Sequence, residues 1–225
     1  MNSNASNWEN IFLQKEWGKY PSIALVRFIA SNYYDAQDRN EIKILEIGCG
    51  TGANLWYLAR EGFKVYGVDF SYTACSRLHE RFSNEGLTGQ IGDIIVGNYL
   101  DELDTFEDSM FDIVIDIESL YCNSFEDSKK IVEKCFTKLK KGGVMFSQTF
   151  SEGTWGLEGP QITYHCTIPS EGPMKDCGMS RFTTEDDIEK LYHLRNSKIR
   201  SIELQELSLN NGKLIGEWLI EVEKD

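Results

Sequence analysis

Two kinds of residue with chemical capability cluster in this chain: glycines that open a turn, and carboxylates at its edges. Gly48, Gly50 and Gly52 alternate with Cys49 and Thr51 directly after the run Ile44-Leu45-Glu46-Ile47. Backbone without a Cβ can reach φ > 0 there and let a ligand lie against it. The amides of a helix starting after the turn would face that ligand. Glu46 precedes the turn, and Asp69 follows Gly52 by seventeen positions. A carboxylate at that distance can accept both hydroxyls of a ribose. The amide of Asn98 can donate and accept at an adenine edge. Asp116-Ile117-Glu118 closes another apolar run. Together these residues describe a nucleotide-type pocket.

Such residues converge only at the carboxyl ends of parallel strands, where open α/β sheets bind ligands. The pattern predicts strands at Ile42–Ile47, Lys64–Val68 (ending at Asp69), Asp93–Val96, Phe111–Asp116 and Val144–Phe150. Between them it predicts helices at Ala53–Glu61, Tyr72–Asn84 and Phe125–Leu139. Ser71 can cap the second of these, and Lys141-Gly142-Gly143 is expected to stop the third. One or two helices are expected over Trp8–Tyr34, with Pro21 near a helix start. Thr183 or Thr184 can cap Glu185–Leu194, with Asp187 completing a capping box. Lys198–Leu209 and Leu214–Val222 flank Asn210-Asn211-Gly212, a hairpin signal. The expected fold is α/β: a doubly wound, seven-stranded, mostly parallel sheet with an antiparallel C-terminal hairpin and helices on both faces. Residues 1–225 read as one domain. Residues 1–40 are cap helices, 42–150 a cofactor-binding core, 151–183 a substrate or lid segment without clear period, and 184–225 a closing helix and hairpin.

The 225 residues carry a net charge of −13, with 41% hydrophobic and 12% aromatic residues. The charge opposes phosphate backbones, so nucleic acid is not the expected substrate. No window reaches the ~20 apolar residues of a membrane helix. The first ten residues lack the basic and apolar regions of a secretory signal, so a cytoplasmic location is expected. Cysteines 49, 75, 122, 135, 166 and 177 form no Cys-x-x-Cys pair and read as reduced core thiols, with no metal site expected.

Gly48-Cys49-Gly50-Thr51-Gly52-Ala53 also satisfies the spacing of dinucleotide binders. Two features point elsewhere. Glu46 would repel a pyrophosphate but suits a cationic amine or sulfonium. The terminal hairpin inserts an antiparallel strand that the usual dinucleotide fold lacks. Leu45-Glu-Ile-Gly-Cys-Gly-Thr-Gly52, Val65-Tyr-Gly-Val-Asp-Phe-Ser71, Phe111-Asp-Ile-Val-Ile-Asp116 and Leu139-Lys-Lys-Gly-Gly-Val-Met-Phe146 occur in this order. In these motifs the chain resembles the class I S-adenosylmethionine-dependent methyltransferases of small-molecule type, over roughly residues 42–150.

The resemblance implies a Rossmann-like domain using S-adenosyl-L-methionine and releasing S-adenosyl-L-homocysteine. By it, Glu46, Gly48 and Gly50 line the methionine side, Asp69 holds the ribose, and Phe70, Asn98 and Tyr99 meet the adenine. Cys49, Gly52, Asp116 and Ile117 complete the expected cofactor set. Many relatives carry Asp at the position of Asn98, so weaker binding is expected. Trp17-Gly-Lys-Tyr20-Pro and Leu25-Val-Arg27-Phe resemble helices that fold over the cofactor. Arg27 either pairs with the methionine carboxylate or sits on a solvated helix face. Trp17 and Tyr20 either cover the cofactor or pack in the core.

Methyl transfer from a sulfonium needs mainly orientation, with a base only where the acceptor must lose a proton. Glu118 and His165 are candidate bases, and Tyr121 a candidate for positioning the acceptor. Trp155, Tyr164 and Ile168 could wall an acceptor pocket, and Glu158, Glu171 and Asp176 could hold its polar groups. A small-molecule acceptor, no membrane partner, and a monomer or homodimer are expected. The alternatives are a non-catalytic scaffold subunit or an NAD-dependent oxidoreductase.

Overall fold

A computed structural model describes residues 3–156 and 159–225. Helices α1 (Ser3–Gln14) and α2 (Ile23–Tyr33) precede an alternating core: β1 (Lys43–Ile47), α3 (Ala53–Arg60), β2 (Lys64–Asp69), α4 (Tyr72–Asn84) and β3 (Ile91–Val96). A short α5 (Tyr99–Glu102), β4 (Phe111–Ile117), α6 (Phe125–Lys138) and β5 (Leu139–Phe150) follow. These strands and two more, β9 (Ser197–Ser208) and β10 (Leu214–Lys224), form one sheet in the order β3-β2-β1-β4-β5-β10-β9. Pairing is parallel from β3 through β5 and antiparallel where β10 meets β5 and β9. This is the Rossmann-like sheet the strand pattern predicts.

The central strands β1, β2, β4 and most of β5 are buried on both faces, which explains their nearly continuous apolar sequence. Leu45, Ile47 and Val114 pack with Ile131 and Phe136 of α6 and Leu191 on one side. Ile44, Val65 and Ile115 pack with Leu25 and Phe28 of α2, Leu58 of α3 and Phe82 of α4 on the other. The strand order reverses between β1 and β4, which opens a crevice at their carboxyl ends.

Two expectations need correction. α6 ends at Lys138 without help from the glycine pair: Leu139 is already extended (φ −69°, ψ 140°) and pairs with Phe111. Gly142 (φ +74°) lies within β5, where the register to β4 shifts between Phe111 and Ile113. The glycines therefore belong to an irregularity near the start of the strand. Residues 151–183 are also not without secondary structure. β6 (Gln161–Thr163), β7 (Cys166–Thr167) and β8 (Ser180–Arg181) form a small antiparallel sheet. Strands of two or three residues are too short to show alternation. Thr184 caps α7 (Glu185–Tyr192), and Asp187 completes the capping box as expected. Among the described residues no disulfide is formed, and Cys49, Cys75, Cys135, Cys166 and Cys177 are buried.

Candidate functional site

A cavity of about 370 Å³ lies at the carboxyl ends of β1, β2 and β4, within the range of small-ligand sites. Glu46 stands at its base, 1% exposed. Oε1 accepts from Asn54 Nδ2 at 2.6 Å, while Oε2 is buried with no hydrogen-bond partner among the described residues. Burial pushes this carboxyl well above the usual range; the Asn54 hydrogen bond opposes the shift, and Asp69 and Asp116 add to it. A buried carboxylate oxygen without a partner is costly, so the site favours a cation or an N–H donor.

The glycine turn is organised around a second carboxylate. Asp69 Oδ2 accepts the Gly50 N–H at 2.8 Å and Oδ1 accepts the Ser71 N–H at 2.8 Å. Burial holds Asp69 up at about 6 despite these two bonds. Gly48 N and Cys49 N donate to Val68 O, and Gly52 N donates to Cys49 O. With these amides already engaged, the turn offers a diphosphate little, and Glu46 would repel one. Gly48 has φ +71°, and a Cβ on it would sit 1.8 Å from Ser119 Oγ. Phe70 and Tyr99 flank Asp69's side of the cavity with ring centroids 5.7 Å apart, and Tyr99 Oη bonds Ser119 Oγ at 2.7 Å.

The N-terminal segment closes the other side. Trp8 and Phe12 of α1 line the cavity, with Trp17 and Tyr20 from the connection to α2. Trp17 and Tyr20 are 42% and 80% exposed, so they form the cavity mouth and are not core residues. Glu9 fastens α1 to the start of α4, accepting from Ser71 Oγ and Thr73 Oγ1, each at 2.5 Å. Arg77 and Arg81 donate to the carbonyls of Lys15 and Lys19.

At the end of β4 and beyond it, Ile117, Glu118 and Tyr121 line the cavity with Phe150, Pro173 and Met174. Glu118 adopts φ +55°, and burial, then Glu217 and Asp116, hold its carboxyl well above the usual range. Tyr121 donates to Met174 Sδ at 3.0 Å, and burial raises its phenol well above normal, so it stays neutral.

Of the residues expected from sequence, the structure gathers Trp17, Tyr20, Glu46, Gly48, Cys49, Gly50, Asp69, Phe70, Tyr99, Ile117, Glu118 and Tyr121 around one cavity. Five others are not in its lining. Arg27 is exposed on α2. Gly52 packs α3 against Leu78 of α4. Asn98 spends its side-chain oxygen capping α5 at Leu100 N. Asp116 is wholly buried, accepting from Ser119 N, Leu120 N and Ser147 Oγ, and so shapes the turn that carries Glu118. His165 gives Nδ1 to Asp187 Oδ2 at 2.7 Å and stacks on Tyr164, serving the α7 capping box. The expected acceptor wall also differs. Trp155 lies under Lys213 Nζ, Tyr164 bonds Asp187, Glu171 pairs with Lys213, and Ile168 is exposed. Asp176 is not in the lining either, and Glu158 is outside the described residues. Pro173 and Met174 take that place. Trp8 and Phe12 were detectable only as an i, i+4 aromatic pair; Asn54 and Met174 carry no sequence signal.

Residues 44–143 match the family described as a methyltransferase domain. A ubiquinone biosynthesis O-methyltransferase of Histophilus somni (strain 2336) is 29% identical over 126 residues, covering 54% of this chain and 51% of that protein. The chain thus spans about half the length of that curated relative. A crystal structure of a SAM-dependent methyltransferase from Methanosarcina mazei matches with TM-score 0.69 and 23% identity, covering 87% of this chain and 96% of that one. Magnesium protoporphyrin IX methyltransferase from Synechocystis, solved with bound SAM, matches with TM-score 0.63 and 13% identity over 100% of this chain and 92% of that one.

Proposed function

We propose that this chain, which carries a class I S-adenosylmethionine-dependent methyltransferase domain, transfers a methyl group from S-adenosyl-L-methionine to a small, largely apolar acceptor. The observation that carries the reading is the buried, unpartnered Oε2 of Glu46 beside the glycine turn. It asks for an ammonium or sulfonium and opposes a phosphate. The family match across the turn and the methyltransferase names of the curated relatives support the same reading.

In this reading Glu46 meets the methionine end of the cofactor, Asp69 accepts its ribose hydroxyls, and Phe70 and Tyr99 receive the adenine. Gly48 and Gly50 let the ligand approach the backbone. When bound, the cofactor supplies an electrophilic methyl on a positively charged sulfur. The protein's task is then to hold the acceptor in line and exclude water, and orientation alone can be worth ~7–11 kcal/mol. Trp8, Phe12, Phe150 and Met174 supply an apolar wall for the acceptor. Glu118 accepts a proton where the acceptor carries one, and Tyr121 shapes the floor through its bond to Met174.

The same reading treats residues 1–225 as one domain: cap helices 1–40, cofactor core 42–150, acceptor segment 151–183 and closing hairpin 184–225. It places the protein in the cytoplasm as a monomer or homodimer that does not act on nucleic acid. The acidic charge supports the last point, and among the described residues no helix is long and apolar enough to cross a membrane. Calorimetric titration with S-adenosylhomocysteine and, separately, NADH tests the pocket. Homocysteine-form binding without NADH binding is expected; the reverse selects the oxidoreductase, and no binding of either selects a scaffold. Labelled-methyl transfer to a panel of hydroxyl and amine acceptors then tests the reaction.

A further inference from the structure

Gln148 lies behind the cavity wall and joins two acids. Its Nε2 donates to Glu118 Oε1 at 3.3 Å and to Glu217 Oε1 at 3.0 Å, while its Oε1 accepts from Ser22 Oγ at 2.6 Å. One carboxamide nitrogen therefore serves two carboxyl groups, one on the turn after β4 and one on β10. Among the described residues no lysine, arginine or histidine pairs with either acid. Glu118 faces the cavity, and its backbone is held at φ +55° while its N–H donates to Gln148 O at 2.9 Å. Left-handed backbone is uncommon for a residue with a Cβ and persists where the surroundings impose it. Here Gln148 holds Glu118 at both its backbone and its side chain.

We propose that Glu118 and Glu217, bridged by Gln148, share one proton and form the acid–base group of the acceptor site, with Glu217 as the positioning residue that sets the proton affinity of Glu118. The assignment deepens the methyl-transfer reading and rests on it. It commits that reading to an acceptor whose reacting oxygen or nitrogen carries a proton. As that atom bonds the methyl carbon, the carbon–sulfur bond breaks with its electron pair remaining on sulfur. The acceptor's proton passes to the carboxylate of Glu118 and then to water.

The charged groups facing Glu118 all act in one direction, and the hydrogen bond from Gln148 opposes them. Glu217 on β10 and Asp116 on β4 are like charges, Tyr121 is a neutral phenol, and Gln148 and Ser22 are uncharged. Two adjacent carboxyls without a cation cannot readily both ionise, which together with burial holds the Glu118 carboxyl above the ordinary range and makes its carboxylate a stronger base.

Carbon-13 NMR titration of glutamate carboxyls in the ligand-free full chain tests the pair without donor or acceptor. A carboxyl titrating above the ordinary range is expected, absent in Glu118→Gln and lowered by about one pH unit or more in Glu217→Gln. Gln148→Met removes both bridging donors at similar length and is expected to raise the midpoint further. An ordinary midpoint in the wild type, or an unmoved midpoint in Glu217→Gln, overturns the shared proton. In acceptor-dependent turnover the acidic limb of the pH profile is expected to move with the NMR midpoint. A limb that stays in place while the midpoint moves overturns the acid–base role. A moved midpoint with no methyl transfer to any protonated acceptor overturns the underlying reading instead.

Discussion

Asp69 Oδ2 accepts the Gly50 N–H at 2.8 Å, joining the end of β2 to the middle of the glycine turn. Its other oxygen takes the Ser71 N–H at the start of α4. One carboxylate thus sets the relative position of two ligand-facing turns while keeping lone pairs for a ligand.

Asp69→Ala is expected to weaken S-adenosylhomocysteine binding by about 1–3 kcal/mol through lost charged hydrogen bonds. Calorimetry reads this directly, and wild-type affinity in the variant would remove Asp69 from the site.

Burial raises Asp69 and Asp116 to about 6. Between the ordinary carboxylate value and 6 the folded protein binds these protons more tightly than the unfolded chain. By linkage, the two groups therefore reduce stability as pH rises through that window. Asp116→Asn is expected to lie closest to wild-type stability near pH 7 and to fall furthest behind it near pH 4, measured by denaturant midpoints. For Asp69 the ligand favours the ionised form, so homocysteine-form affinity is expected to rise as pH passes 6.

The two leading glycines separate a packing requirement from a ligand requirement. An alanine Cβ at Gly48 meets Ser119 Oγ at 1.8 Å, whereas at Gly50 it meets the Phe12 ring, no nearer than an ordinary 3.5 Å. Gly48→Ala is expected to cost both left-handed strain and overpacking, about 2–5 kcal/mol together. Gly50→Ala is expected to cost about 1–2 kcal/mol of strain and to stay folded while losing ligand affinity. Thermal melts and calorimetry on both variants distinguish the two cases.

His165→Ala is expected to leave methyl transfer within about twofold and to lower stability by about 1 kcal/mol, because the imidazole supports Asp187 in the capping box. A loss of turnover far beyond the loss of stability would restore His165 as a base.

Glu9→Ala is expected to release α1 from α4 and weaken cofactor binding by about tenfold, the worth of one hydrogen bond to a charged group. Faster proteolysis within the first twenty residues, with an unchanged core melt, is the accompanying sign.

Sequence made the strand-end residues legible because each is local: Glu46, Asp69 and Glu118 directly end or follow apolar runs, and Thr184 with Asp187 is a three-residue spacing. What it did not reveal depends on distant packing. Gln148 reads as an ordinary strand residue until β10 brings Glu217 beside it. Met174 enters the cavity only because the small β6–β8 sheet folds residues 151–183 back. His165 looked chemically able, but its partner Asp187 comes from a helix whose approach no local pattern encodes. Arg27 illustrates the same limit, since its helix turns that position to solvent.

Trp8 and Trp17 meet edge to face, with centroids 5.4 Å apart, at the rim of the cavity. Their indoles give the protein a built-in optical gauge. Emission intensity and quenching by added iodide should follow occupancy of the rim in real time, without any attached dye.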